Sequence, residues 1–443
     1  MRDRAYRKRL VADLPKWQAE GWVTPQGAGA ILAALPEGRA LFGIVGIVAT
    51  LGGLLLGLSV IAFVGANWDA IPRLMRFTLL AMALALAYVV AASLERRKLH
   101  MFSEAAMLVA GLIFAAAIAL VGQSYHLAGD FSGAVLLWMI GVFAAALLTG
   151  SATMTVLGLI GGGYWSWMAV FDLDMGPHWA GLVPILVGGA IATVIDSRNT
   201  RILAVLALIY WLGLSIAASG DRYDWSYAGG MALGVVTGLA LFGLGALLAA
   251  LPNERIAALG QAMLWPALAV VVVVIGVEQI AWDPSIGEQG LLTLTVAGIA
   301  IAVALAAAAL WQKGLSVVDV GAVALIGLMA LIFALNLPES DFWRRLAGGV
   351  MVILTALWLI NLGQSGEVPG AKSVGLAALG IEVVYLYVAT LGGLFYTAIG
   401  FLLGGVLLIG LAWSLYKLDR FLSRRRGDGG GTAASPIAGE VAS

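Results

Sequence analysis

From Leu41 to Tyr416 apolar residues come in long runs separated by short polar breaks. Most of the runs are ~17–25 residues long, enough for a helix to cross the ~30 Å hydrocarbon core of a bilayer. The pattern predicts an all-α, polytopic membrane protein with about 14 transmembrane helices. The spans fall near 41–66, 73–94, 102–122, 133–149, 152–171, 178–195, 201–219, 227–251, 256–281, 289–311, 315–335, 343–362, 372–390 and 393–416. Two breaks are faint: Thr149-Gly150-Ser151, and Thr390-Leu391-Gly392-Gly393, which leaves the count at 13 or 14.

Outside the runs the chain has two small pieces. Residues 1–40 predict a cytoplasmic helical hairpin. Leu10, Leu14 and Trp17 share one helix face, with Arg7, Lys8 and Arg9 near its start and Pro15 a discordant residue within it. Gly21 is a stop signal, and Thr24-Pro25 opens a second helix towards Leu35 as cap and first helical residue. Residues 417–443 begin with Lys417, Arg420 and Arg424-Arg425-Arg426 and continue as a Gly/Ala-rich tail expected to be disordered. No cleaved leader is expected, because the first 40 residues are polar and the run from Leu41 is too long for one.

Charge orients the bundle. With fourteen spans and both termini in the cytosol, 20 of the 25 Lys and Arg face inward, leaving Arg73, Arg76, Arg222, Arg344 and Arg345 outside. Arg96-Arg97-Lys98 is the strongest internal cluster on the inner side. The outer side then carries Asp69, Asp130, Asp172, Asp174, Asp221, Asp224 and Asp283, and seven tryptophans: Trp68, Trp165, Trp167, Trp179, Trp225, Trp282 and Trp343. Exclusion of basic residues and settling of Trp at the interface explain this; an acidic, aromatic mouth for a cation or a glycan is the sharper alternative. Composition agrees with membrane burial: 61% of residues are hydrophobic and 11% charged, and many of the 58 glycines suit close helix packing. Zero net charge argues against nucleic-acid binding, and the absence of cysteine excludes disulfides, thiolate metal sites and cysteine nucleophiles.

Candidate chemistry is sparse. Gly65-Ala66-Asn67-Trp68-Asp69 closes the first span, and Gly122-Gln123-Ser124-Tyr125-His126 closes the third, 57 residues later and on the same side. The similarity suggests a duplicated helical hairpin, of the kind many transporters are built from. Asn67, Asp69, Gln123 and His126 are candidates for an outer gate; helix capping and interhelical hydrogen bonds are the plainer account. A histidine side chain can change charge near neutral pH, and His126 could pair with Asp69 or Asp130. Glu382, inside the thirteenth span, is the candidate coupling carboxylate, since a carboxylate deep in a membrane marks a functional site or a buried pair. Tyr385, one turn on, could bond the same partner, whereas Glu104, Glu278 and Asp319 lie nearer helix ends and are expected to snorkel to water.

No phosphate loop, zinc helix or nucleophile elbow is present, so no enzyme, cofactor or metal site is expected. His126 and His178 lack paired-ligand spacing, and Asp172-Leu173-Asp174 sits in too short a loop to act as a nucleotide-sugar motif.

Trp17…Gly21-Trp22-Val23-Thr24, the Gly-rich first span ending in Asn67-Trp68-Asp69-Ala70-Ile71-Pro72, and Gly122-Gln123-Ser124-Tyr125-His126 together resemble the bacterial predicted membrane proteins of family DUF2157. The motif-bearing likeness covers roughly the first 150 residues; beyond it the spans match in general character only. It implies a multi-pass protein of the bacterial inner membrane and brings no activity, substrate or catalytic residue. The expectation is a secondary transporter or flippase-like carrier of an unknown small molecule or ion. The alternative is a non-catalytic scaffold or sensor whose residues 1–40 bind a protein partner, a second copy or anionic lipid.

Overall fold

A computed structural model describes residues 10, 14, 17–18, 20–24, 26–28, 31, 51–56, 59, 72–125, 131–280, 289–335, 341–365, 368, 370–391 and 410. Among these residues regular structure is helical throughout and no strand occurs. The helices are α1 (Arg73–Arg96), α2 (His100–Tyr125), α3 (Phe131–Thr149), α4 (Ala152–Trp167), α5 (Leu182–Val194), α6 (Arg198–Tyr223), α7 (Tyr227–Ala249), α8 (Glu254–Ile280), α9 (Gln289–Trp311), α10 (Val317–Ala334), α11 (Asp341–Ser365) and α12 (Ala371–Leu391). Among the described residues ten helices are long and apolar enough to cross a membrane. With the 3-10 turn before it, α5 makes a shorter apolar helix, Trp179–Val194. The first and last of the predicted spans lie largely outside the described residues, as does the break at Gly392-Gly393.

Sequence signals set the helix ends. Ser151, Ser197 and Ser226 accept hydrogen bonds from the first-turn amides of α4, α6 and α7. Ser316 and Asp319 cap α10 reciprocally as a capping box. The faint break at Thr149-Gly150-Ser151 is a full turn: Gly150 has φ +66°, a conformation that suits glycine, and Ser151 caps the next helix. α4 ends in a π-helical turn, Met168–Asp172, rather than a plain α-helical one.

The chain forms two compact units, Met1–Ala128 and Gly129–Ser443. In the first, α1 packs on α2, and the Ser103 hydroxyl donates to the Ala91 carbonyl between them. Near the N-terminus Leu10, Leu14 and Ala28 are buried, with Trp17 and Val23 against them, while Trp22 is 72% exposed. In the second unit α7 is central, packing on α6, α8, α9 and α10. Its Val235, Leu239 and Phe242 are fully enclosed in a core shared with α8, α9, α10 and α11. α11 and α12 form a close pair that rests on α8.

Candidate functional site

The site begins with glycine. Along α11, Gly349, Ala356 and Gly363 recur every seven residues, and along α12 Gly375 and Glu382 do the same. Such spacing keeps one stripe of each helix turned to its neighbour. Gly363 lies against the main chain of Lys372, and Gly375 against the carbonyl of Ala356, so the two backbones touch. That closeness brings Glu382 to Gly349: a Cβ placed on Gly349 would stand 3.0 Å from Glu382 Oε1. The adjacent Gly348 faces α8 instead, where any side chain would collide with Gln279. Two successive glycines thus admit two polar side chains from different helices.

At this three-helix junction Gln279 Nε2 donates to Glu382 Oε1 at 3.3 Å, and the Tyr385 hydroxyl donates to the backbone carbonyl of Gln279 at 3.4 Å. Glu382 is 3% exposed and Gln279 2%. One polar residue of α8 therefore serves both Glu382 and Tyr385, and a carboxyl group is held inside the protein by a neutral carboxamide. Although Glu382 lies midway along α12, Gln279 is the penultimate residue of α8. The junction thus sits towards the end of the bundle where α8 finishes and α11 begins. Leu386 closes the apolar side of the carboxyl, against Gly349.

The other candidate residues fall elsewhere. Asn67, Asp69 and His126 lie outside the described residues, and of Gln123 only the backbone, in the last turn of α2, is described. All four belong to the first unit and Glu382 to the second.

Two expectations need correction. Glu278 and Asp319 do not reach water; they are 4% and 2% exposed. Asp319 caps α10 with one oxygen and with the other accepts from Trp358 Nε1 at 2.8 Å, tying α10 to α11. A fixed hydrogen bond inside the protein replaced solvation because α11 brings an indole to the helix start.

A second polar cluster, not foreseen from the sequence as a unit, lies in the α4–α5 connection. His178 is buried, its Nδ1 is 3.2 Å from Ser166 Oγ, and its ring stands edge-on to Trp165 at 4.4 Å between centroids. Trp211 Nε1 donates to the His178 carbonyl at 2.8 Å. Burial pushes the His178 imidazole below its ordinary pKa. Aromatic side chains continue along α4, where Tyr164 and Trp167 stack 6.0 Å apart. Asp172 and Asp174 are exposed beside this cluster. Among the described residues no group of three or more His, Asp or Glu side chains comes together as a metal site.

The signal that would have paired Glu382 with α8 is modest. Glu278-Gln279 is a polar doublet near the end of a largely apolar span, and Gly348-Gly349 is a doublet of the smallest residue. Nothing local says that these doublets meet.

Residues 15–155 match the family described as Predicted membrane protein (DUF2157). The match covers the stretch in which the Trp17, Asn67 and Gln123 motifs occur. No curated protein and no solved structure matches the chain.

Proposed function

We propose that this membrane protein is a secondary transporter or flippase-like carrier in which Glu382 couples movement of a small molecule or ion to a second ion. In this reading all fourteen segments cross a bacterial inner membrane with both termini in the cytosol. Residues 1–40 form a cytoplasmic hairpin, 41–416 the bundle, and 417–443 a tail. The junction of α8, α11 and α12 then lies near the outer surface, and Asn67, Asp69, Gln123 and His126 belong to the gate on that side. The protein performs no catalysis and needs no cofactor.

The observation that supports this reading is the placement of Glu382. A carboxyl group enclosed among helices and held by a carboxamide rather than by Lys or Arg is costly as a structural device. An apolar residue would pack the same seam more cheaply. Membrane carboxyls of this kind are typical of ion pathways. The test is Glu382→Gln in vesicles and in purified form. A carrier loses pH-gradient-dependent accumulation while folded protein stays abundant. Loss of folded protein with unchanged uptake per molecule would mean that Glu382 serves structure alone.

One observation favours the scaffold reading: Trp22 stands exposed in the turn that follows Trp17, whose side chain packs on the small buried cluster of Leu10, Leu14 and Ala28. An exposed Trp in a chain segment with a basic start suits a lipid headgroup layer or a protein partner. Removal of residues 1–38 should then abolish partner capture and leave accumulation intact.

A further inference from the structure

We infer that the ion exchanged at Glu382 is a proton and not an alkali cation. The inference rests on the carrier reading above and names its coupling ion.

Three features of the junction carry it. First, the polar atom facing Glu382 Oε1 is an amide nitrogen, Gln279 Nε2, whose hydrogen points at the carboxyl oxygen. An alkali cation requires several oxygens converging on one point, and an N–H donor repels it. Second, the Gln279 backbone carbonyl, which could have joined an oxygen shell, receives the Tyr385 hydroxyl instead. Third, the carboxyl fills the space over Gly349 of α11, where an added Cβ would stand 3.0 Å from Oε1, with Leu386 beside it. A proton adds to the oxygen without needing room; a cation and its ligands would have to part α11 from α12.

The charges around the junction agree. α12 packs on α8 and α11. On α8 the nearest ionisable neighbour is Glu278, itself buried, and on α11 it is Arg345, which is exposed. On α12 itself Tyr385 bonds α8, and Lys372 lies at the far end of the helix beside Gly363. Ion pairs between described residues include Glu95 with His100 and Asp196 with Arg201, both outside α8, α11 and α12. Neutralisation of Glu382 by its own proton removes the penalty of a buried charge. The exchange is a plain acid–base step: the carboxylic acid gives its proton to water, leaving carboxylate and hydronium, and the reverse step reloads it. Gln279 donates to the same oxygen in both states.

The test is infrared difference spectroscopy of the full-length protein in lipid nanodiscs, following the carbonyl stretch of protonated carboxyl groups with pH. Each pH is measured in choline, sodium and potassium chloride at equal ionic strength. The expected result is a band that fades as pH rises, is absent in Glu382→Gln, and is the same in all three salts. Gln279→Met keeps the bulk but removes the donor, and should move the band towards the position of a free acid carbonyl. This second variant reads the same group if Glu382→Gln does not fold. A Glu382-dependent band that disappears on adding sodium or potassium at fixed pH overturns the inference, as does the absence of such a band at every pH. Parallel accumulation assays separate the two levels. Cation displacement of the band with uptake still lost in Glu382→Gln leaves the carrier reading standing with the wrong ion. A titrating band with uptake unchanged in Glu382→Gln keeps the proton and removes the carrier.

Discussion

Gly348→Ala is the smallest change that probes the contact between α8 and α11. The added methyl would run into the Gln279 side chain, with Nε2 3.0 Å and Cδ 3.1 Å from the new carbon. Gln279 is enclosed, so it cannot simply swing into solvent or lipid. Overfilling a packed site costs about 1–3 kcal/mol. Displacing the Gln279 amide from Glu382 adds about 0.5–1.5 kcal/mol for a lost neutral hydrogen bond. Against these, Ala improves on Gly inside a helix by up to about 1 kcal/mol. The net expectation is destabilisation of roughly 1–3 kcal/mol, since the steric and hydrogen-bond losses exceed the helix gain. Gly321→Ala on α10 supplies the internal reference, because nothing lies within 4 Å of a Cβ there and only the helix gain applies. Thermal unfolding in nanodiscs, followed by tryptophan fluorescence, should place Gly348→Ala below wild type and Gly321→Ala at or above it. Adding Gln279→Ala to Gly348→Ala should recover part of the loss, because the shortened side chain no longer meets the methyl. Equal midpoints for the two glycine variants, or no recovery in the double variant, would refute the three-helix junction.

Other expectations follow from the same packing. Asp319→Ala removes the reciprocal hydrogen bond of the capping box, worth about 0.5–1.5 kcal/mol, and strands the Trp358 indole N–H, worth about 1–3 kcal/mol more; a shift in unfolding midpoint no larger than that of Ser316→Ala would show that the Trp358 bond is idle. His178 has its pKa lowered from 6.5 by burial, so the unfolded chain takes up its proton first as pH falls. Stability contributed by neutral His178 is complete above that value and declines as pH drops below it towards the depressed folded pKa; His178→Gln should flatten this part of the pH profile, and an unchanged slope would exclude His178 as its source. Since the chain contains no cysteine, single cysteines at Trp22 and Ser443 can be labelled one at a time. On the proposed topology both should react with an impermeant maleimide only after the membrane is opened, and reaction of one alone in intact cells would give an odd number of crossings.

Twelve of the predicted spans fall on described helices, and the agreement extends to a turn as faint as Gly150-Ser151. Backbone groups in lipid must bond within their own segment, so a long apolar run leaves a helix as its one economical form. The capping serines are equally local, each acting on amides within its own first turn. The first-third family likeness was legible for the same reason, because its motifs are contiguous. What such runs conceal is their facing. A helix apolar on every side shows no stripe to tell lipid from neighbour, and so Glu278 and Asp319, read as reaching water, turn out to be buried.

Sequence alone therefore determined that this chain forms helices long and apolar enough to cross a membrane, where most of the described ones start and stop, and that Glu382 lies within one. The tertiary structure decided what Glu382 meets. Gln279 is 103 residues away in the chain, and the two come together only because paired glycines let α8 and α12 approach adjacent faces of α11. Contact at that separation depends on how whole helices pack, and no window of neighbouring residues encodes it.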